Sequence, residues 1–196
     1  MKSFEINGSL RTEKGKKFTK KMRKQESVPA ILYGGKENVM LSLDESELRD
    51  LIYTPNVYIV DLKVGKKAYK SIIKDIQFHP VNDRILHIDF LELSDDKKVT
   101  IGVPVELTGS SEGVKQGGKL TLITRKLKVS AFPKDLPDTI KVDITNLDLG
   151  KSKLVGDISL DNIQVVDPKS TVIATVKLTR AARGAAQAAE GEAATA

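Results

Sequence analysis

The sequence predicts a mostly β protein: an N-terminal small antiparallel β-barrel with one or two short helices, followed by a second β-rich domain. Three observations carry this. Short segments of alternating apolar and polar residues recur along most of the chain. One strong helix signature, at Asp44, sits inside the first run of them. A polar break, Ser94-Asp95-Asp96-Lys97-Lys98, separates the first run from the second.

Taken in order, Phe4, Ile6 and Leu10 alternate with Glu5, Asn7, Ser9 and Arg11, which predicts a strand with one buried face. A basic segment interrupts, opening with a flexible loop at Lys14-Gly15-Lys16; Phe18 and Met22, four apart, can anchor a helical turn within it. Val28 to Tyr33 reads as a strand ending in a Gly34-Gly35 turn, and Val39 to Leu43 as another. Asp44 is a helix cap, with a carboxylate at Glu47 and with Leu48, Leu51 and Ile52 on one face. Pro55 ends that helix. Val57 to Val64, a Gly65-Lys66 turn and Tyr69 to Phe78 make a hairpin, and Arg84 to Leu93 adds a strand. In that last strand the alternation sends Leu86, Ile88 and Phe90 to the core and Ile85, His87 and Asp89 to the opposite face.

Residues 1–94 therefore form the first domain and residues 95–180 the second. In the second, Val99 to Leu107 and Leu120 to Phe132 alternate strongly, and Thr139 to Ile144, Gln164 to Val166 and Thr171 to Leu178 follow. The glycine-rich stretch Gly109 to Gly118 lacks the Gly-Lys-Ser/Thr ending of a phosphate loop and reads as a flexible hairpin tip. Leu147 to Leu160 leaves room for a short helix. Residues 181–196 are Ala-rich, without bulky apolar stripe or caps, and read as a disordered tail.

Charge is the most uneven property of the chain. Between Arg11 and Lys24 stand eight basic residues (Arg11, Lys14, Lys16, Lys17, Lys20, Lys21, Arg23, Lys24) and one acid, Glu13, hence +7 against a net +6 for all 196 residues. A concentrated positive field on an otherwise balanced protein suits a polyanion, because each neutralised phosphate releases condensed counterions. Self-repulsion in such an arm predicts that it orders only on binding. With no cysteine, disulfides, thiolate metal sites and thiol nucleophiles are excluded. No Trp and few Phe or Tyr argue against large stacking platforms. No apolar run approaches the roughly 20 residues that span a bilayer, and the first residues show no signal-peptide pattern. A cytoplasmic protein without membrane contact is expected.

His87 and Asp89, two apart on a strand, share a face and could pair as base and orienter. No nucleophile motif or metal-binding spacing accompanies them, so no catalytic residue, metal site or cofactor is expected. Beside a polyanion the pair makes better sense. An imidazole reaches phosphates, 2′-hydroxyls or bases, whereas a carboxylate repels phosphate and reads base donors.

In order along the chain stand Arg11, Gly15-Lys16, Thr19-Lys20-Lys21-Met22-Arg23, Val28-Pro29-Ala30-Ile31-Leu32-Tyr33-Gly34-Gly35, Gln77-Phe78-His79-Pro80 and Leu86-His87-Ile88-Asp89-Phe90. This closely resembles the bacterial large-subunit ribosomal protein family that binds 5S ribosomal RNA, in its long two-domain form, the general stress protein CTC family. The likeness continues by layout through Val103 to Glu106 and the tail. It implies a ribosome-bound, non-enzymatic RNA-binding protein whose barrel docks on the loop E region of 5S RNA in the central protuberance. Neighbouring large-subunit proteins would be its other partners, and the free protein a monomer. The implied contacts are Arg11, Lys16, Thr19, Lys20 and Arg23 from the arm, Tyr33 at a strand end, and Gln77, His87 and Asp89 as the sheet-side patch that confers specificity. Lys17 stands where the family commonly has a glycine. Lys20 stands where arginine is common, keeping the charge without the bidentate fork. A rival reading remains: a stress-linked interaction module whose near-neutral second domain binds proteins, with RNA contact incidental.

Overall fold

Alternate residues of six strands point into one apolar centre. The structure is a computed structural model that describes residues 2–35, 37–65, 67–158, 160 and 163–179. The tail expected at 181–196 lies outside the described residues. In chain order the first part comprises β1 (Lys2–Leu10), α1 (Lys16–Lys24), β2 (Ser27–Tyr33), β3 (Val39–Asp44), α2 (Glu45–Ile52), β4 (Tyr58–Val64), β5 (Lys67–Phe78) and β6 (Ile85–Glu92). The strands close into a barrel in the order β1-β3-β2-β6-β5-β4. Ile6, Ala30, Leu32, Leu41, Val60, Leu62, Ile88 and Phe90 fill its interior at 0% exposure, so the centre is packed core.

The sequence suggests an antiparallel barrel, but two of its seams are parallel. β2 runs parallel to β6, and β1 parallel to β4; the other seams are antiparallel. Turn signals specify hairpins between neighbours in sequence, but nothing local marks the seams that join distant strands. Leu10 also departs from expectation. It is 67% exposed at the end of β1, and the inward place before it belongs to Gly8, whose added Cβ would meet Leu43 at 3.0 Å.

The helix at Asp44 forms as expected. The Asp44 carboxylate accepts hydrogen bonds from the Ser46 N–H at 3.0 Å and the Ser46 hydroxyl at 2.9 Å. These bonds hold its pKa below the ordinary carboxylate value. Leu48 and Leu51 are buried in the barrel core. Glu47 does not close a capping box; it accepts the Asn7 N–H at 3.2 Å and so links the helix to β1.

Two bulges reset the β5–β6 ladder. Ile73 pairs with Phe90 but Asp75 with Asp89, leaving Lys74 extra on β5; Gln77 pairs with His87 but Phe78 with Ile85, leaving Leu86 extra on β6. The second bulge overturns part of the expected alternation. Ile85 is in the core at 3% exposure and Leu86 is only half-buried. His87 and Asp89 keep the outward face, because they lie beyond the bulge.

The chain divides into two compact units, Met1–Ile101 with Ala131–Asp138, and Gly102–Ser130 with the described residues from Thr139 onward. The later elements are β7 (Val99–Thr108), α3 (Glu112–Lys115), β8 (Lys119–Leu122), β9 (Lys126–Ala131), β10 (Ile140–Asp143), β11 (Ser152–Leu154), a 3-10 turn at Val155–Asp157, β12 (Gln164–Val165) and β13 (Val172–Lys177). They form a sheet β10-β7-β9-β12 and a second sheet β11-β13-β8. The single strand expected over Leu120 to Phe132 is thus two strands in different sheets.

The glycine-rich stretch is not a loose hairpin tip. Ser111 is 1% exposed, its hydroxyl donates to the Leu147 carbonyl at 2.5 Å, and the Gly113 N–H donates to the same oxygen at 3.0 Å. A Cβ on Gly113 would stand 2.6 Å from the backbone of Asp148 and Leu149, so glycine permits close approach here.

Leu41→Ala, which empties a fully buried site in the barrel, is expected to cost about 2–5 kcal/mol in urea unfolding. Asp44→Ala is expected to destabilise the protein at neutral pH. A lowered folded pKa gives stability that is full above the ordinary carboxylate value near 3.8 and fades as pH falls through the folded value. The difference in melting temperature between wild type and Asp44→Ala should therefore shrink on acidification below about pH 4.

Candidate nucleic-acid interface

The basic arm is helical from Lys16 to Lys24, extending the turn that Phe18 and Met22 suggest in a segment whose charge alone predicts order only on binding. Gly15, at φ +111°, precedes it in a conformation that disfavours other residues. Lys21, Arg23 and Lys24 fall in the last turn, where positive charge complements the helix dipole. Two attachments hold it. Met22 is buried at 6% exposure, and Arg23 donates from Nε at 3.1 Å and Nη2 at 2.9 Å to the Leu86 carbonyl on β6. Leu86 is the bulged residue, so the bulge presents the carbonyl that fastens the helix.

Lys16 and Lys20 are exposed on α1. The Thr19 hydroxyl donates back to the Gly15 and Lys16 carbonyls, each at 3.2 Å, so its proton is used within the helix and its lone pairs face outward contacts only as acceptors. Arg11 stands elsewhere, at the end of β1, where its N–H donates to the Met40 carbonyl at 2.9 Å. Its Nε and Nη1 are buried without a hydrogen-bond partner among the described residues.

The sheet residues come together on the outer face of β2, β6 and β5. The parallel seam sets Ile31 beside Asp89 and Tyr33 beside Leu91. The antiparallel ladder sets Gln77 opposite His87 and Asp75 opposite Asp89. His87 Nδ1 lies 2.8 Å from Asp89 Oδ1, with the two side chains 18% and 33% exposed. A carboxylate that close favours the neutral tautomer with its proton on Nδ1, which leaves Nε2 as an acceptor. Burial, then the charges of Asp89 and Asp75, push the Tyr33 phenol above its ordinary pKa. It remains a hydroxyl.

This face is rich in acceptors: two carboxylates, the His87 Nε2 and the Gln77 carbonyl. Its neighbour α1 is rich in cations. Phosphate is drawn to the helix and repelled from the sheet, and the sheet suits base N–H donors. Among the described residues no group of three or more His, Cys, Asp and Glu side chains could hold a metal ion.

Residues 6–90 match the model of the Ribosomal L25p family, and residues 98–180 that of the Ribosomal protein TL5, C-terminal domain. The large ribosomal subunit protein bL25 of Porphyromonas gingivalis is 50% identical over 188 residues, covering 95% of this chain and 98% of that protein. The bL25 proteins of Phocaeicola vulgatus and Amoebophilus asiaticus are 47% and 44% identical, covering 95% and 98% of this chain and 98% of each relative. The chain belongs to the bL25 family. It has the two-domain form of that structural, non-enzymatic ribosomal family.

Sequence reasoning missed Asp75. In the bL25 barrel it faces Asp89 directly; it stands two residues before Gln77 on a regular stretch, so parity counted from Gln77 finds it, whereas a count from Ile73 crosses the extra residue at Lys74 and assigns the opposite face. Arg23 was expected at the RNA, and the structure also gives it an anchoring role, through a carbonyl 63 residues away. Arg23→Met, which keeps the aliphatic stem and drops the fork, should loosen α1. Amide exchange over residues 18–24 is expected to accelerate several-fold while the β2 and β6 amides keep their protection.

Proposed function

We propose that this bL25-family chain is a structural protein of the large ribosomal subunit that binds 5S ribosomal RNA through residues 1–94. Its target is the loop E region in the central protuberance. It works in the cytoplasm, is monomeric when free, takes neighbouring large-subunit proteins as further partners, and needs no cofactor.

One observation carries the reading. The cationic helix is bolted to the carbonyl of Leu86, the residue immediately before His87, so the phosphate-attracting and base-reading surfaces are adjacent and fixed. Lys16 and Lys20 steer the RNA and hold its backbone. Arg11 joins them from the β1 end. Thr19 accepts from a 2′-hydroxyl. Tyr33, kept as a phenol, stacks or hydrogen-bonds at the end of β2. Gln77, His87 and Asp89 read base edges in an irregular helix whose groove is open enough to admit a sheet face. Asp89 is the discriminating group, because a carboxylate gains only where a base presents donors and loses wherever phosphate approaches.

Binding of the full chain to 5S RNA and to an unrelated hairpin, over a range of salt, tests this. About five phosphate contacts give a log–log salt slope of roughly −3.5 to −4.5. Asp89→Asn should cost about 1–3 kcal/mol of preference for 5S RNA while leaving hairpin binding equal or tighter. Equal affinity for both RNAs, unchanged by Asp89→Asn, would leave a cationic patch only.

A further inference from the structure

A second cationic surface lies beside the one just described. A groove of about 480 Å³ is walled by Lys20, Arg23 and Lys24 of α1, by Ser27 and Val28 at the start of β2, by Glu45, and by His79, Asn82, Arg84, Ile85 and Leu86 around the β5–β6 turn. Its charged residues are four cations and one carboxylate, if His79 is neutral. That carboxylate is already engaged. Glu45, with only 11% of its side chain exposed, accepts from Arg84 Nη2 and, at 3.4 Å, from Arg84 Nε. Arg84 Nη2 also donates to the Arg23 carbonyl at 3.3 Å.

Both guanidinium groups are fixed before any ligand arrives. Arg23 uses Nε and Nη2 on the Leu86 carbonyl, and Arg84 uses Nε and Nη2 on Glu45. Among the described residues neither Nη1 has a hydrogen-bond partner. The turn is braced as well. The His79 N–H donates to the Arg84 carbonyl at 2.8 Å, and the Asp83 N–H to the His79 carbonyl at 3.0 Å. Asp83 takes φ +51° to make this closure.

The histidine adds a chemical signature. His79 Nδ1 accepts the Val81 N–H at 3.3 Å, so the neutral ring carries its proton on Nε2. That is the opposite tautomer to the one favoured at His87, whose Nδ1 lies 2.8 Å from the Asp89 carboxylate. His87 offers an acceptor, His79 a donor. Asn82 Oδ1 accepts from the Arg84 N–H at 3.4 Å, which leaves its amide N–H groups as donors. The groove therefore gathers fixed donors and positive charge, and its one acid is neutralised.

We propose that this groove holds a backbone phosphate of the bound RNA, a phosphodiester outside the base-reading face, ligated by Lys24, His79 and the free edge of Arg84; the proposal rests on the RNA-binding reading above. The outer sheet face then reads bases while the groove grips the strand that passes the β5–β6 turn. Preformed donors lose little side-chain freedom on binding, so the contact contributes to affinity without discriminating sequence.

The test is binding of full-length variants to 5S RNA and to an unrelated hairpin at several salt concentrations. Lys24→Gln should weaken 5S binding about three- to tenfold near 0.15 M salt and reduce the magnitude of the salt slope by roughly 0.7–0.9. Lys70→Gln, the same charge loss on the exposed side of β5, should do neither. His79→Asn keeps an acceptor for the Val81 N–H and removes the distal donor; it should weaken binding about two- to tenfold with an unchanged slope. His79→Gln, which returns a distal N–H, should restore most of that loss.

If Lys24→Gln matches Lys70→Gln and His79→Asn matches wild type, the groove holds no phosphate, and the base-reading proposal stands untouched. If wild type fails to prefer 5S RNA, that specific reading fails by itself. A phosphodiester contact must then still show as a Lys24→Gln loss on the hairpin, and its absence there overturns the groove as well.

Discussion

The parallel seam between β2 and β6 is the constraint on which the interface depends. It joins strands more than 50 residues apart, setting Ala30 against Ile88, Ile31 against Asp89 and Tyr33 against Leu91. Through it Tyr33 comes within the field of Asp89, and burial together with that charge raises its pKa. Barrel closure locks this register. With Ile88 and Phe90 fully buried, a slip of one residue would turn His87 and Asp89 into the core and the apolar residues into water. The burial of two carboxylate or imidazole groups costs several kcal/mol, so the polar face is as firmly specified as the apolar one.

Electrostatics on the barrel is organised by opposition. Positive charge is gathered on one nine-residue helix, and the adjoining sheet face carries Asp75 and Asp89 directly across from each other. Two like charges so placed are mildly destabilising, a cost that a face selected only for stability would not keep. Its effect is directional: phosphate is repelled from this surface, which suits hydrogen-bond donors instead. Tautomer choice sharpens the same division, with an acceptor nitrogen on His87, set by the nearby Asp89 carboxylate, and a donor nitrogen on His79, set by the Val81 N–H.

The helix shows how a segment that cannot fold alone is held by its surroundings. Nine residues rich in lysine fall below the length at which isolated helices are stable. Met22 supplies an apolar foot and Arg23 a two-pronged bond to the Leu86 carbonyl. That carbonyl is available because Leu86 is a bulged residue without a ladder partner on β5. One irregularity in a strand thus serves two ends: it returns Ile85 to the core and gives the helix its anchor.

The sequence by itself determined the local elements and the chemistry of the site. Period-2 alternation marked the strands, Asp44 with its following carboxylate marked α2, and the motifs around Tyr33, His87 and Asp89 named the residues that meet on one face. These signals are legible because they depend on neighbours two to four positions apart. Tertiary structure alone decided the rest. The parallel seams join strands remote in sequence. The bulges at Lys74 and Leu86 break the parity that alternation assumes: the first sets Ile73 and Asp75 on opposite faces, and the second exchanges Ile85 for Leu86. The glycine-rich stretch reads as a loose tip until the backbone of Asp148 and Leu149 is found 2.6 Å from a Gly113 Cβ. The basic arm reads as unfolded until the Leu86 carbonyl is found to hold it. In each case the deciding partner is dozens of residues away, and a packing contact made across that distance leaves no periodic trace in the chain.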